Sequence, residues 1–157
     1  MQSHDDTRGP GLKFPPPLLP LALIGIGYLT DVYLPLPING GSGLWLTGLV
    51  VLITSLCLAI VVVLQFSRAK THVEPWQPTT LVIQSGIFRF SRNPIYLAYC
   101  MATLGGGLML NSWWGLAAVI PLAYLLQQLV IRHEEAYLEA KFGDSYLAYK
   151  RRVRRWL

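Results

Sequence analysis

The chain has 157 residues, of which 53% are hydrophobic and 13% charged, against about 25% charged in an average soluble domain. That length leaves room for one domain, and the long unbroken apolar runs exclude an ordinary water-soluble core. The formal net charge of +5 argues for basic loops facing one side of a bilayer rather than for nucleic-acid binding.

Residues 1–17 read as a disordered polar segment that turns Pro-rich at Pro15-Pro16-Pro17. Asp5 and Asp6 precede the first apolar run, so the start does not read as a secretory signal. Residues 18–157 read as one membrane domain. A first span is expected over about 18–34, with Asp31 near its far end, stopped by Pro35 and Pro37. Asn39-Gly40-Gly41-Ser42-Gly43 is a turn. A second span over about 44–66 has no charge and is long enough to cross ~30 Å of hydrocarbon, with Trp45 as an interface anchor.

Residues 67–93 are polar and mixed. Within them Thr79-Thr80-Leu81-Val82-Ile83 has β-branched, extended character, and Ser85-Gly86 is a turn. Pro94 suits the first turn of a third span over about 94–110. Asn111-Ser112 forces a tight hairpin into a fourth span over about 113–131, interrupted by Pro121. From Arg132 an amphipathic helix runs to about Ala140, breaks at Gly143 and resumes into Lys150-Arg151-Arg152. The expected fold is therefore an all-α integral membrane protein: about four transmembrane helices plus a cytosolic amphipathic C-terminal helix.

All 13 Lys and Arg fall before the first span, between the second and third, or after the fourth. Four spans put those three segments on one face, which the positive-inside rule makes cytoplasmic. A bacterial inner membrane is the expected location, with both termini and the polar chemistry facing the cytoplasm. Cys57 and Cys100 read as buried free thiols, and neither they nor His4, His72 and His133 have metal-ligand spacing. His133-Glu134-Glu135 lacks the second His of a zincin motif.

Two boundary segments carry more polar detail than a plain bundle needs. One is Gly86-Ile87-Phe88-Arg89-Phe90-Ser91-Arg92-Asn93-Pro94-Ile95-Tyr96. The other is Arg132-His133-Glu134-Glu135, followed by Phe142-Gly143-Asp144-Ser145-Tyr146-Leu147-Ala148-Tyr149. Arg89 and Arg92 read equally well as headgroup anchors, and Gly105-Gly106-Gly107 as a close helix-packing surface.

The order and spacing of these motifs around a membrane hairpin resembles the isoprenylcysteine carboxyl methyltransferase family, with phospholipid N-methyltransferases as more distant relatives. The likeness covers about residues 79–157, and the N-terminal Pro-rich segment and first hairpin resemble those of bacterial members. It implies an S-adenosyl-L-methionine pocket on the cytosolic side, held by Thr80, Leu81, Val82, Ile83, Phe88, Asn93, Pro94, Ile95 and Tyr96. Counting back from Phe142-Gly143, the family's cofactor glutamate falls on Glu134, with Glu135 beside it. Asn93 replaces the commoner His of that motif. Eukaryotic members place a substrate-contacting Arg one turn before the Glu. Here the gap-free match is Val130, and Arg132 is the nearby candidate to orient an acceptor.

The resemblance implies methyl transfer to a lipophilic small molecule or lipid, most simply a carboxylate of the isoprenylcysteine kind, in a protein surrounded by membrane lipids and not nucleic acid. A phospholipid amine is the alternative acceptor. A nicotinamide-dependent membrane reductase and a non-catalytic scaffold are the readings outside methyl transfer.

Overall fold

A computed structural model of the protein describes residues 14–71, 77 and 79–157. The expected disorder of residues 1–13 lies outside the described part. Among the described residues the chain is helical, without strands. The segment Thr79–Ile83, read as extended, joins no ladder.

Helix α1 spans Leu18–Tyr33. The Pro15 and Pro16 carbonyls accept the Leu18 and Leu19 N–H groups at 3.1 Å each, so the prolines lead directly into the first turn. Helix α2 spans Gly41–Arg68, and its 28 residues reach roughly 42 Å at ~1.5 Å per residue. Helix α3 spans Pro94–Met109 and begins on the proline, whose missing N–H is no loss in a first turn.

The fourth apolar stretch is a nearly continuous helical rod. It comprises α4 (Trp113–Ala117), α5 (Val119–Leu126), a π-helical turn at Gln127–Ile131 and α6 (Arg132–Phe142). Pro121 accounts for the interruption near Ala118, since it offers no N–H to the carbonyl four residues back. Gly143, at φ 52° and ψ −129°, ends α6, and α7 (Asp144–Arg152) follows at once.

Two helices, Gly41–Arg68 and Trp113–Phe142, are long and apolar enough to cross a membrane. α2 turns Leu46, Val50, Ile53, Leu56, Ile60 and Leu64 outward, all exposed. A contiguous apolar face of that length suits lipid and not water, so the chain is membrane-associated. Cys57 is exposed on this helix rather than buried, whereas Cys100 is half-buried in α3.

Close backbone approach holds the bundle. A Cβ on Gly48 would lie 2.7 Å from the Gly105 carbonyl oxygen, and one on Gly105 would lie 2.8 Å from that of Gly48. The same holds between Gly107 and Gly115, where a Cβ on Gly107 would meet the Gly115 carbonyl carbon at 2.6 Å. Gly105 and Gly107 are thus packing residues, while Gly106 faces open space. The core proper is Tyr96, Leu122, Leu126, Val130 and Ile131, against which Phe14, Leu23, Tyr99 and Trp156 pack.

The loops at one end of the bundle pair with each other. Pro37 and Ser112 form an isolated antiparallel bridge, Ile38 N–H donates to the Asn111 carbonyl at 3.1 Å, and Trp113 N–H donates to that of Leu36 at 3.0 Å. The Ser112 hydroxyl donates to Asp31 at 2.8 Å and accepts the Gly115 N–H as the N-cap of α4.

Candidate active site

At the opposite end of the bundle the polypeptide forms an open cleft of about 820 Å³, its solvent-filled mouth included. Three elements build it. The first is the segment leading into α3. Gly86, at φ +59°, allows the turn after Ser85, and a Cβ there would collide with the Gln65 side chain at 1.6 Å. The following 3-10 turn, Gly86–Arg89, buries Phe88, whose ring meets Phe66 of α2 edge-on at 5.7 Å.

The second element is α6. Adjacent helical residues point about 100° apart, so neighbours do not share a face. Glu134 turns toward α3, where the Tyr96 hydroxyl donates to its Oε1 at 2.5 Å. Glu135 turns toward α7 and is buried. It accepts a bidentate pair from Arg155, Nε at 3.0 Å and Nη2 at 2.7 Å, and meets Arg92 Nη2 at 3.1 Å. Lys150 lies 4.0 Å away and also pairs with Glu139. The two carboxylates of one motif therefore do different work.

The third element is α7 with the stretch that follows it. Tyr146 and Tyr149 are three residues apart, hence on one helical face, and both are buried against the cleft. The Tyr149 hydroxyl donates to the Phe88 carbonyl at 2.7 Å. Burial pushes the Tyr149 phenol up to about 12 against the opposing pull of Arg92, and burial followed by Glu135 raises Tyr146. The hydrogen bond to Glu135 likewise raises Arg155.

Beyond α7 the chain runs back along the start of α3. Arg92 N–H donates to the Arg154 carbonyl at 3.0 Å, and Asn93 Nδ2 donates to that of Arg155 at 3.0 Å. Asn93 stands at the N-cap position of α3 but makes no side-chain cap; its amide is occupied with the C-terminal stretch.

Of the residues singled out by sequence, Leu81, Val82, Ile83, Phe88, Asn93, Pro94, Ile95, Tyr96, Glu134 and Glu135 all line the cleft. Thr80 does not: it is exposed, its N–H donates to the Thr71 hydroxyl at 3.1 Å, and Thr79 takes the place at the wall. Arg132 is exposed at the start of α6, outside the lining, and Val130 is fully buried in the core. The lining also holds Phe66, Arg92, Tyr137, Leu138, Tyr146 and Tyr149, which were not assigned to a site from sequence. Arg92 lay within the quoted motif, and the Tyr-x-x-Tyr spacing put both α7 tyrosines on one face.

These features define a membrane-associated helical protein with a partly aromatic, carboxylate-bearing cleft at one end of its bundle. The family model for phospholipid methyltransferases matches residues 44–145, and the chain belongs to that family. It is 41% identical over 63 residues to an uncharacterized protein of Haemophilus influenzae, covering 40% of this chain and all of that protein. It is 30% identical over 73 residues to a protein-S-isoprenylcysteine O-methyltransferase of Schizosaccharomyces pombe, covering 46% of this chain and 31% of the relative. The chain thus spans about a third of that enzyme's length. No solved structure matches it.

Proposed function

We propose that the protein transfers a methyl group from S-adenosyl-L-methionine to a lipophilic acceptor at this cleft. The observation that carries the reading is the placing of Glu134 and the Tyr96 hydroxyl, 2.5 Å apart, in a cleft whose wall includes Phe66, Phe88, Val82 and Ile83. That donor set fits a cationic, partly aromatic ligand. A carboxylate accepts ribose hydroxyls or favours a positive centre, aromatic faces attract a cation, and the apolar wall takes an adenine ring. The bound cofactor would supply an electrophilic methyl on a sulfonium.

The chain's own residues do the rest. Tyr96 fixes the Glu134 carboxylate in one orientation. Arg155 and Arg92 hold Glu135, and through it the start of α3 against α6. Phe66, Phe88 and Leu138 keep water from the reacting centre, which strengthens the electrostatic contacts made there. The proposed cofactor-binding set is Leu81, Val82, Ile83, Phe88, Asn93, Pro94, Ile95, Tyr96 and Glu134, with Glu135 as its support.

A carboxylate acceptor needs alignment and desolvation, whereas an amine must also lose a proton to a base. His133 is exposed and no His lines the cleft among the described residues. A carboxylate acceptor is in keeping with the isoprenylcysteine enzyme among the relatives. The domain is taken as residues 18–157 with four spans, α1, α2, α3 and the rod from Trp113, and with both termini and the cleft cytoplasmic. The pairing of residues 34–40 with 110–114, two segments that contain no Lys or Arg, supports that topology.

Calorimetric titration of the detergent-purified protein with S-adenosylmethionine and, separately, with NADPH tests the cofactor. Labelled-methyl transfer to prenylcysteine acids and to membrane lipids tests the acceptor. Binding of NADPH alone would replace the methyltransferase reading with a reductase.

A further inference from the structure

Arg92 stands in the inner wall of the cleft with its side chain only 7% exposed. It uses one nitrogen, Nη2, on Glu135. Nε and Nη1 are buried and have no hydrogen-bond partner among the described residues. An unmet buried donor is costly, and more so on a charged group, so such a group in a ligand cleft calls for an acceptor.

The groups around it do not supply one. The two oxygens of Glu135 already serve Arg155 and Arg92 Nη2, and Lys150 approaches the same carboxylate. Glu134 Oε1 takes the Tyr96 hydroxyl, and the Tyr149 hydroxyl is turned to the Phe88 carbonyl. Two guanidinium groups thus share one carboxylate, and two nitrogens of Arg92 are left without an acceptor among the described residues.

We propose, building on the methyl-transfer reading, that Arg92 binds a carboxylate of the small molecule held in the cleft through these open N–H donors. Two carboxylates have that chemistry: the amino-acid carboxylate of the methyl donor and the carboxylate of the acceptor. Arg92 belongs to both duties at once, tying the start of α3 to α6 through Glu135 and presenting its remaining edges to the ligand.

The test uses matched ligand pairs on the full chain in detergent. One pair is S-adenosylhomocysteine and its decarboxylated analogue; the other is a farnesylcysteine acid and its amide. Calorimetry on wild type should show the carboxylate-bearing member of one pair binding at least tenfold tighter. Arg92→Lys keeps a cation for Glu135 but removes the guanidinium donors. It should weaken that member roughly ten- to a hundredfold and leave its carboxylate-free partner unchanged. The affected pair identifies the source. Equal wild-type affinity within both pairs overturns the assignment without recourse to any variant. So does a loss in Arg92→Lys that is equal for both members and follows the melting temperature, which would make Arg92 a structural counterion of Glu135. Failure of wild type to bind either adenosyl compound would instead overturn the methyl-transfer reading, and Arg92 with it.

Discussion

At the end of the bundle where residues 34–40 meet residues 110–114, polar side chains complete the fold. Asp31 accepts from the Ser112 hydroxyl and the Leu36 N–H, Asn111 Oδ1 accepts the Asn39 N–H, and the Trp114 indole donates to the Leu34 carbonyl. Glycines bring the backbones together just below. At the other end, side chains are held by one another, and some of their capacity is left open: Glu135 gathers three cations while Arg92 keeps two buried donors unmet. One end is closed by satisfied polar groups and contact; the other is held rigid around a space. Open polar capacity on a charged side chain in the wall of a cleft is a physical mark of a ligand site.

The largest effect that would sharpen this contrast is expected at Glu135. Glu135→Gln leaves Arg92 buried without its counterion and should cost about 3–5 kcal/mol of stability. Equilibrium unfolding in micelles measures it, and Glu135→Gln combined with Arg92→Met should recover a good part. A single-variant loss below about 1 kcal/mol would place the cluster with ordinary surface ion pairs.

Glu134→Gln should separate from its neighbour. A lost hydrogen bond to a charged group is worth ~1.5–3 kcal/mol, or roughly ten- to a hundredfold in S-adenosylmethionine affinity, with a smaller change in melting temperature. If both glutamates lose stability and affinity in the same proportion, the division of labour along α6 is wrong.

At the closed end Gly107→Ala forces a methyl against the Gly115 backbone and should destabilise by about 1–3 kcal/mol. The cofactor affinity of the protein that remains folded should stay at the wild-type value. A specific drop in affinity there would tie the two ends together and break the comparison.

The smallest effect belongs to Asn93. Its amide donates to the Arg155 carbonyl, so Asn93→Ala should cost about 0.5–1.5 kcal/mol. Asn93→Asp, tolerable if the residue were only a helix cap, should be at least as harmful, because a carboxylate cannot donate to that carbonyl. Asn93→His retains an N–H donor and should be the mildest of the three by thermal melts.

Approximate helix bounds and the tight turn at Asn111-Ser112 could be read from residues 18–157 directly, and the family resemblance pointed to ten of the residues that line the cleft. Apolar run length, Pro94 at a first turn, Gly143 at a break and Tyr146 with Tyr149 at helical spacing are local facts, and local facts survive folding. The tertiary structure alone decided that Glu135 is taken up by Arg155 and Arg92, that Asn93 serves the C-terminal stretch, and that Thr79 rather than Thr80 lines the site. It also put Arg132 outside the cleft and left two donors of Arg92 unpartnered. Each of these depends on contacts between residues distant in the chain, such as Asn93 with Arg155, Tyr96 with Glu134 and Arg92 with Glu135. The direction of α6 depends besides on a π-helical turn that shifts the register of everything after Gln127. Spacing along a chain specifies which residues share an element's face; only the packed bundle specifies what that face meets.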